Sequence, residues 1–345
     1  MIRGVILILL FWTCAMSVQA KKDSTQTKNN YTFYYTTEVQ TGFGSKVQWV
    51  NLLEFEGNVG LWWKGGSFDF LTETIYQVHE DPIVPNMMTF SNIEAYNQWI
   101  SPFLLGISQK IDSLKLFFGL RNMNEDYFTH PYTSLYTNSS SGAYPTISMN
   151  HPYCANYPLS AMCLHLEYRF GKGFSIKNSL YNGIARRITE GFSSLSIAPA
   201  RDGLFNMTEL KFTCKKGVAT VGGIYNSKGN NYALWTNREH DFFSRGDKSK
   251  IGGIVQASFA PASNNFCKNY FGLGLVATGF VFPKSGDKIA VITTRGSFTG
   301  IAESDTEFTW LCPIAQGLSL QPAFHFIKTG SRWNRVGMLR VNYKL

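Results

Sequence analysis

The sequence is short of charged residues. Lysine, arginine, aspartate and glutamate make up only 16 % of it, whereas aromatic residues reach 15 %. An average soluble chain has about 25 % charged residues. Mean hydropathy is near neutral (−0.11), as expected when every strand is only half apolar. This composition favours a membrane barrel over a soluble chain.

Long hydrophobic runs are also scarce. The run VILILLFWTCAMSV at 5–18 follows Arg3 and precedes Val18-Gln19-Ala20, which fits a signal peptide at 1–20 cleaved after Ala20. No later run approaches the roughly 18 apolar residues that a helical span needs. We therefore expect an exported chain with a polar lead at 21–46 and one domain at 47–345.

Motifs for metals and catalysis are missing. Outside the signal peptide there are five cysteines, an odd number that does not predict a disulfide framework. Cys154 and Cys163 are close enough in sequence for a small bonded loop, and the sequence leaves that bond open. No CxxC pair has metal-ligand spacing, and no histidine lies in a GxSxG-like context. We expect no metal, no cofactor and no enzyme activity.

The net charge of +9 is spread along the chain rather than clustered. A nucleic-acid partner is therefore not expected. Inside a barrel, the same charge would bias the lumen towards anions and electron-rich solutes.

What the sequence does contain is alternation with a period of two. At 114–121, Leu114, Leu116 and Phe118 fall on one face, and Lys115 and Arg121 on the other. A soluble sheet turns its apolar face inward, whereas a membrane barrel turns it towards lipid. Similar strand-like runs lie at 47–56, 59–78, 102–111, 164–170, 174–181, 204–214, 218–225, 250–260, 270–282, 307–314, 318–328 and 336–345.

The run at 336–345 continues to the final residue. An uncovered edge strand is hazardous in a soluble protein, and a barrel removes the hazard by pairing the last strand with the first. No helical pattern of ten or more residues competes with these strands. The sequence therefore predicts an all-β transmembrane antiparallel barrel.

Several segments together resemble the carbohydrate-selective porin family (OprB type) of bacterial outer membranes. They are LWWKGGSFDF (61–70), SNIEA (91–95), GLRNMNEDYF (119–128), LYTNSSSGAYP (135–145), YPLSAMCLHLEYRF (157–170), RDGLFNMTELKF (201–212) and LSLQPAFHFIKTG (318–330). The resemblance implies about sixteen strands and passive diffusion of glucose-like sugars through a constricted lumen. The chain departs from the family pattern at Ala323 and His325, where an acidic residue and a glutamine are usual, and at Leu345, where an aromatic is usual.

Sugar selection requires groups that exchange hydrogen bonds with water and aromatic faces for stacking. We expect the polar loop after Arg121 to fold inward and constrict the lumen. The candidate pore-lining residues are Arg121, Glu125, Asp126, Glu167, Arg169, Glu209, Lys211, Glu307, Gln321, Arg340 and Trp63. Other readings stay open: Arg121 braces the loop through Glu125 or Asp126, the wall charges pair across strands, and Trp63 lies in an aromatic girdle.

The sequence thus predicts an outer-membrane porin selective for sugars, located in the bacterial outer membrane. Its expected partners are small sugars as solutes and outer-membrane lipid, and a homo-oligomer stays open. One alternative is a general or anion-leaning diffusion porin. Another, of a different class, is a secreted soluble glycan-binding β-protein.

Overall fold

A computed structural model describes residues 29–44, 46–187, 193–245, 249–283 and 286–345. The described residues form sixteen antiparallel strands that close into one barrel, which confirms the predicted fold class. The strands are β1 (Asn30–Thr41), β2 (Val47–Gly60), β3 (Gly66–Gln77), β4 (Gln98–Ile111), β5 (Leu114–Arg121), β6 (Ala161–Arg169), β7 (Phe174–Asn182), β8 (Leu204–Cys214), β9 (Gly217–Asn226), β10 (Asn231–Arg245), β11 (Ser249–Phe259), β12 (Cys267–Thr278), β13 (Lys288–Phe298), β14 (Ile301–Ala315), β15 (Leu318–Thr329) and β16 (Arg332–Lys344).

The barrel closes between β1 and β16, with Glu38 opposite Arg340. The predicted pairing of the last strand with the first is therefore confirmed. The expected boundary at residue 47 is wrong, because β1 lies within the segment assigned to a polar lead. Tyrosine and threonine occupy both faces of β1, and this hides its alternation. The predicted signal peptide lies outside the described residues.

The two ends of the barrel carry different connections. One end, here called the turn end, has tight turns such as 112–113, 170–173 and 215–216. The other, the loop end, has the long connections 78–97, 122–160 and 183–203. Short turns at one end and long loops at the other are typical of outer-membrane barrels.

The outer face of the barrel is apolar. Leu273, Leu275, Phe308, Phe324 and Leu339 are about half exposed there. They alternate with inward polar positions, which is the arrangement of a barrel in lipid. Among the described residues, no helix is long and apolar enough to cross a membrane.

Two of the long connections fold into the barrel. We call 78–97 the first inner loop and 122–160 the second inner loop. Phe90 of the first loop belongs to a buried cluster with Ile327 and Val336 of the wall. Phe128 and Tyr144 of the second loop contact each other, with ring centroids 4.9 Å apart and ring planes tilted by 57°. They belong to a cluster that includes wall residues such as Trp235, Phe205 and Tyr270. The predicted inward fold of the loop after Arg121 is confirmed.

The inner loops explain why β13 escaped sequence analysis. Ala290 and Ile292 on its inner face pack against Leu135 and Tyr136 of the second inner loop. Both faces of this strand are therefore partly apolar, and the alternation is blurred. In β10 the charged residue Arg238 lies on the outer face, and this also blurs the alternation of apolar and polar residues.

Candidate pore and loop anchors

The root of the second inner loop is fixed by a buried ion pair. Arg121 donates from Nε to Asp126 Oδ2 at 2.5 Å and from Nη2 to Oδ1 at 2.7 Å. Its guanidinium also lies 4.6 Å from the centre of the Phe117 ring. Burial alone would raise the pKa of Asp126, but the Arg121 charge lowers it to about 2. Arg121 therefore braces the loop through Asp126, one of the readings that the sequence left open.

The far side of the same loop is held by two wall glutamates. Glu239 of β10 accepts the backbone N–H of Tyr132 at 2.9 Å and of Thr133 at 2.7 Å. Glu307 of β14 accepts the backbone N–H of Thr137 at 2.8 Å and of Asn138 at 3.0 Å. Hydrogen bonds from N–H groups to an ionised carboxylate are about twice as strong as neutral ones. These glutamates thus anchor the loop across the lumen.

A chain of polar groups supports the Glu307 anchor. His325 Nδ1 lies 2.9 Å from Asp305 Oδ2, and His325 Nε2 lies 2.9 Å from Thr137 Oγ1. The order threonine, histidine, aspartate resembles a hydrolase relay. However, the Thr137 hydroxyl donates to Glu307, and all these side chains are buried. The chain of groups therefore fixes the loop to the wall.

Gln321 of β15 donates from Nε2 to the carbonyl of Leu135 at 2.7 Å. In the same way Gln256 of β11 donates to the carbonyl of Ser141 at 2.9 Å. Both amides are buried. The wall therefore supplies acceptors for the loop's N–H groups and donors for its carbonyls.

The first inner loop is anchored by the same chemistry. Glu303 of β14 accepts the backbone N–H of Met87 at 2.9 Å and of Met88 at 2.7 Å. Arg340 donates to Glu38 at 2.5 Å and to the Asn92 side chain at 2.6 Å.

The two inner loops also bind each other. The Asn92 N–H donates to the carbonyl of Thr137 at 2.7 Å, and the Ser139 N–H donates to the carbonyl of Thr89 at 2.9 Å. The loops therefore form one joined plug.

The lumen wall stays accessible along β2 to β8, towards the turn end. Its acidic part consists of Glu54 and Glu56 on β2 and Asp69 on β3, and its basic part includes Lys115 on β5 and Lys211 on β8; Glu56 is exposed and the others are half-buried. We call this surface the charged strip. Water can reach it, whereas the apolar lumen residues are covered by the loops.

Glu125 brings the second inner loop to the acidic part of the strip. It lies in a short 3-10 turn, Met123–Glu125. Burial raises its pKa to about 7; the charge of Arg121 opposes this rise, and the carboxylates of Asp126, Glu54 and Glu56 add to it. The loop thus adds a titratable carboxylate beside the charged strip.

The structure separates the predicted pore-lining residues into groups. Glu125, Glu167 and Lys211 are half-buried on the accessible side of the lumen. Arg169 lies at the rim of the turn end, 3.0 Å from Glu167, with a side chain that is 69 % exposed. Six further candidates are buried anchors or buried wall residues: Arg121, Asp126, Glu209, Glu307, Gln321 and Arg340.

For those buried residues, the expectation of a water-exposed lining is wrong, because the loops or their ion-pair partners cover them. Glu209, for example, is fully buried on β8, in register with Lys177 of β7. Trp63, the last candidate, is half-buried. It lies in the 61–65 turn at the turn end and donates to Gln109 at 2.6 Å.

Glu239, Glu303 and Asp305 were not among the residues predicted from the sequence. Glu239 lies on the unrecognised strand β10, and the other two precede the run recognised at 307–314. The signal was present, because Glu303, Asp305 and Glu307 alternate along β14. Three acidic residues in a row on the inner face of one strand indicate a role beyond keeping the lumen wall solvated.

The described residues hold no group of three or more histidine, cysteine, aspartate or glutamate side chains suited to a metal ion. The cysteines of the described chain are free thiols, including Cys154 and Cys163.

No protein-family model matches this chain, and no curated protein matches it. Solved structures do. OprB of Pseudomonas putida at high pH is 14 % identical with a TM-score of 0.79, covering 92 % of this chain and 94 % of that one. An anion-selective porin from Comamonas acidovorans is 11 % identical with a TM-score of 0.61, covering 92 % of this chain and 99 % of that one.

The trimer form of OmpT from Vibrio cholerae is 9 % identical with a TM-score of 0.60, covering 92 % of this chain and 99 % of that one. At such low identities the likeness concerns architecture. The chain shares the fold of outer-membrane porins.

Proposed function

We propose that this protein is an outer-membrane porin through which glucose-like sugars diffuse passively. The observation that carries the proposal is the charged strip, which remains accessible beside two loops that fold into the lumen. Carboxylates and ammonium groups of both signs can exchange hydrogen bonds with a neutral polyol as it sheds water. A channel also needs such contacts to be weak enough for release.

The apolar outer face supports placement in a membrane, and the arrangement of turns and loops supports the bacterial outer membrane in particular. The predicted signal peptide would deliver the chain there. The resemblance of the sequence to the carbohydrate-selective family supports sugars as the solute class. In this proposal the protein is a channel rather than an enzyme.

An anion-leaning channel is the second candidate. It is favoured by the net charge of +9 and by the anion-selective porin among the structural neighbours. Homo-oligomers are a further proposal, supported by the trimer form of one neighbour and tested by light scattering of the protein in detergent.

Liposome swelling separates the two candidates. We expect vesicles containing the protein to swell faster in glucose than in amino acids or anions of equal size. Equal rates for all solutes would remove the sugar preference, and faster anion entry would support the second candidate.

Matched variants test whether the charged strip faces the passage. The E54Q/E56Q pair should shift the reversal potential in a salt gradient towards anions, and the K115Q/K211Q pair should shift it towards cations. If neither pair changes the reversal potential, the solute path lies elsewhere.

A further inference from the structure

A cavity of about 310 Å³ lies at the loop end, above the plug and apart from the charged strip. Its walls come from the end of the second inner loop, from the 183–203 connection and from the β9–β10 turn, and they include His151, Tyr153, Asp202, Asn226 and Lys228. Its volume is at the lower end of the range for small-molecule sites, about 300–1,000 Å³. Long loops face outward in outer-membrane barrels, so the cavity opens at the outer mouth.

One wall of the cavity is held by ion pairs and hydrogen bonds. Asp202 accepts two hydrogen bonds from Arg186, each 2.9 Å long, and one from Arg201 Nε at 2.8 Å. Asn182 donates to the same carboxylate at 2.9 Å. The positive neighbours hold the pKa of Asp202 well below its usual range. Its oxygens are occupied, and Asp202 thus shapes the site.

The opposite wall carries an unused donor. The side-chain oxygen Oδ1 of Asn226 accepts a hydrogen bond from the backbone N–H of Lys228 at 3.0 Å. This contact fixes the orientation of the Asn226 side-chain amide. The Asn226 amide nitrogen therefore donates to His151 Nδ1, at 3.2 Å. Burial lowers the pKa of His151 to about 4, so the ring is neutral near pH 7. Since Nδ1 accepts, the proton is on Nε2.

His151 Nε2 has no hydrogen-bond partner among the described residues and almost no accessible surface of its own, in a residue that is 5 % exposed. A buried donor without an acceptor is costly. A ligand oxygen that reached Nε2 through a small movement of the cavity wall would remove that cost. This donor points to an occupant rich in acceptor oxygens.

The remaining groups suit a sugar ring. Tyr153 is 63 % exposed and offers an aromatic face, while the backbone carbonyl of the same residue is fixed by the Ala185 N–H at 2.7 Å. Lys228 donates to the carbonyl of Arg201 at 2.9 Å, which leaves further ammonium protons for a ligand. An apolar face combined with fixed polar groups is the usual composition of a carbohydrate site.

We propose that this cavity is an entry subsite that binds one neutral pyranose ring at the outer mouth, through His151, Tyr153 and Lys228. The inference rests on the proposed sugar-porin function and adds a binding step before the constriction. The sugar would stack on Tyr153 and accept hydrogen bonds from His151 Nε2 and the Lys228 ammonium group.

The test is glucose-induced block of single-channel current in a planar bilayer, with glucose added to one side at a time. We expect tighter apparent binding from the loop side. His151→Phe keeps a ring against Phe205, whose centre is 5.5 Å away, but removes the donor. It should weaken loop-side binding by about three- to tenfold, and Tyr153→Ala should weaken it similarly.

Tyr232→Ala is the matched control, because Tyr232 is about half exposed on the outer face of β10 and does not line the cavity. The proposal is overturned if H151F and Y153A bind glucose from the loop side as tightly as the unsubstituted protein. It is also overturned if gluconate binds there and glucose does not. Glucose-driven swelling of liposomes distinguishes the two ideas: normal swelling with unchanged block removes the subsite alone, whereas absent swelling removes the porin function.

Discussion

The glutamates on the inner face of the barrel fall into two groups, one buried and one in contact with solvent. Glu239 and Glu307 are at most 2 % exposed and accept backbone N–H groups of the second inner loop. Glu54, Glu56 and Glu167 face inward as well but keep contact with solvent. The difference arises from what lies opposite each residue, a loop in one case and water in the other.

This comparison shows what alternation can and cannot assign. A period of two places a side chain on the inner face, but it does not say which part of the chain returns to meet that face. A carboxylate that meets a turn's N–H groups becomes part of the fold. A carboxylate that meets water contributes to the field inside the pore.

The largest effect is expected at the root ion pair. Arg121→Ala leaves Asp126 as a buried charge without its main partner, and the loss of one partner from such a pair typically costs about 3–5 kcal/mol. Asp126→Ala should be comparably harmful. We expect both variants to lower the temperature of the gel-mobility transition in detergent and to give noisier channels.

The R121A/D126A double variant is the control for this prediction. Since it removes both charges, it should be less destabilised than the sum of the two single variants. Strict additivity would mean that the two side chains do not act as a pair, and Arg121 would then return to the group of residues facing the passage.

A smaller effect is expected at Glu307, which belongs to the far anchor. Truncation to alanine leaves the N–H groups of Thr137 and Asn138 without their acceptor. Each unsatisfied buried group costs about 1–3 kcal/mol, and about 1.4 kcal/mol corresponds to a tenfold change in a population. We therefore expect a released loop, with higher mean single-channel conductance and entry of larger sugars in swelling assays.

Glu167→Ala is the matched truncation on the accessible wall. Glu167 pairs with the largely exposed Arg169, and exposed pairs contribute about 0–1 kcal/mol. The size limit for sugars should stay unchanged in this variant. If E167A and E307A enlarge the channel equally, the division into anchors and passage residues is wrong.

Much of the barrel could be read from the sequence because lipid imposes a strict alternation on its outer face. Strands such as β6 and β16 carry that pattern plainly. The pattern fails where a loop covers the inner face, as at Ile292, or where polar residues lie on the outer face, as at Arg238. There the deciding contact is with a residue far away in sequence.

The same reasoning applies to the candidate site. Arg121 and Asp126 are five residues apart, so their pairing was among the readings that the sequence offered. Thr137 and Glu307 are 170 residues apart, and the alternation of β14 gives no indication of which loop reaches it. Local pairs are accessible to sequence reasoning, and loop anchors across the lumen are not.

The smallest effect is expected at Glu125, beside the accessible glutamates of the wall. Burial and neighbouring carboxylates raise the pKa of Glu125 to about 7, so this group is neutral below that pH and ionised above it. Cation preference, measured as the reversal potential in a salt gradient, should rise between pH 6 and pH 8. The interaction energy between an ion and one charge about 4 Å away in water is about 1 kcal/mol, and salt reduces this energy.

Glu125→Gln should reduce that pH-dependent step. Glu94 on the first inner loop has its pKa raised to about 7 by burial and by Glu38, so the E94Q/E125Q double variant should reduce the step further. If E125Q keeps the whole step, Glu125 belongs with the covered anchors. The acidic part of the passage would then be formed by the wall residues Glu54 and Glu56 alone.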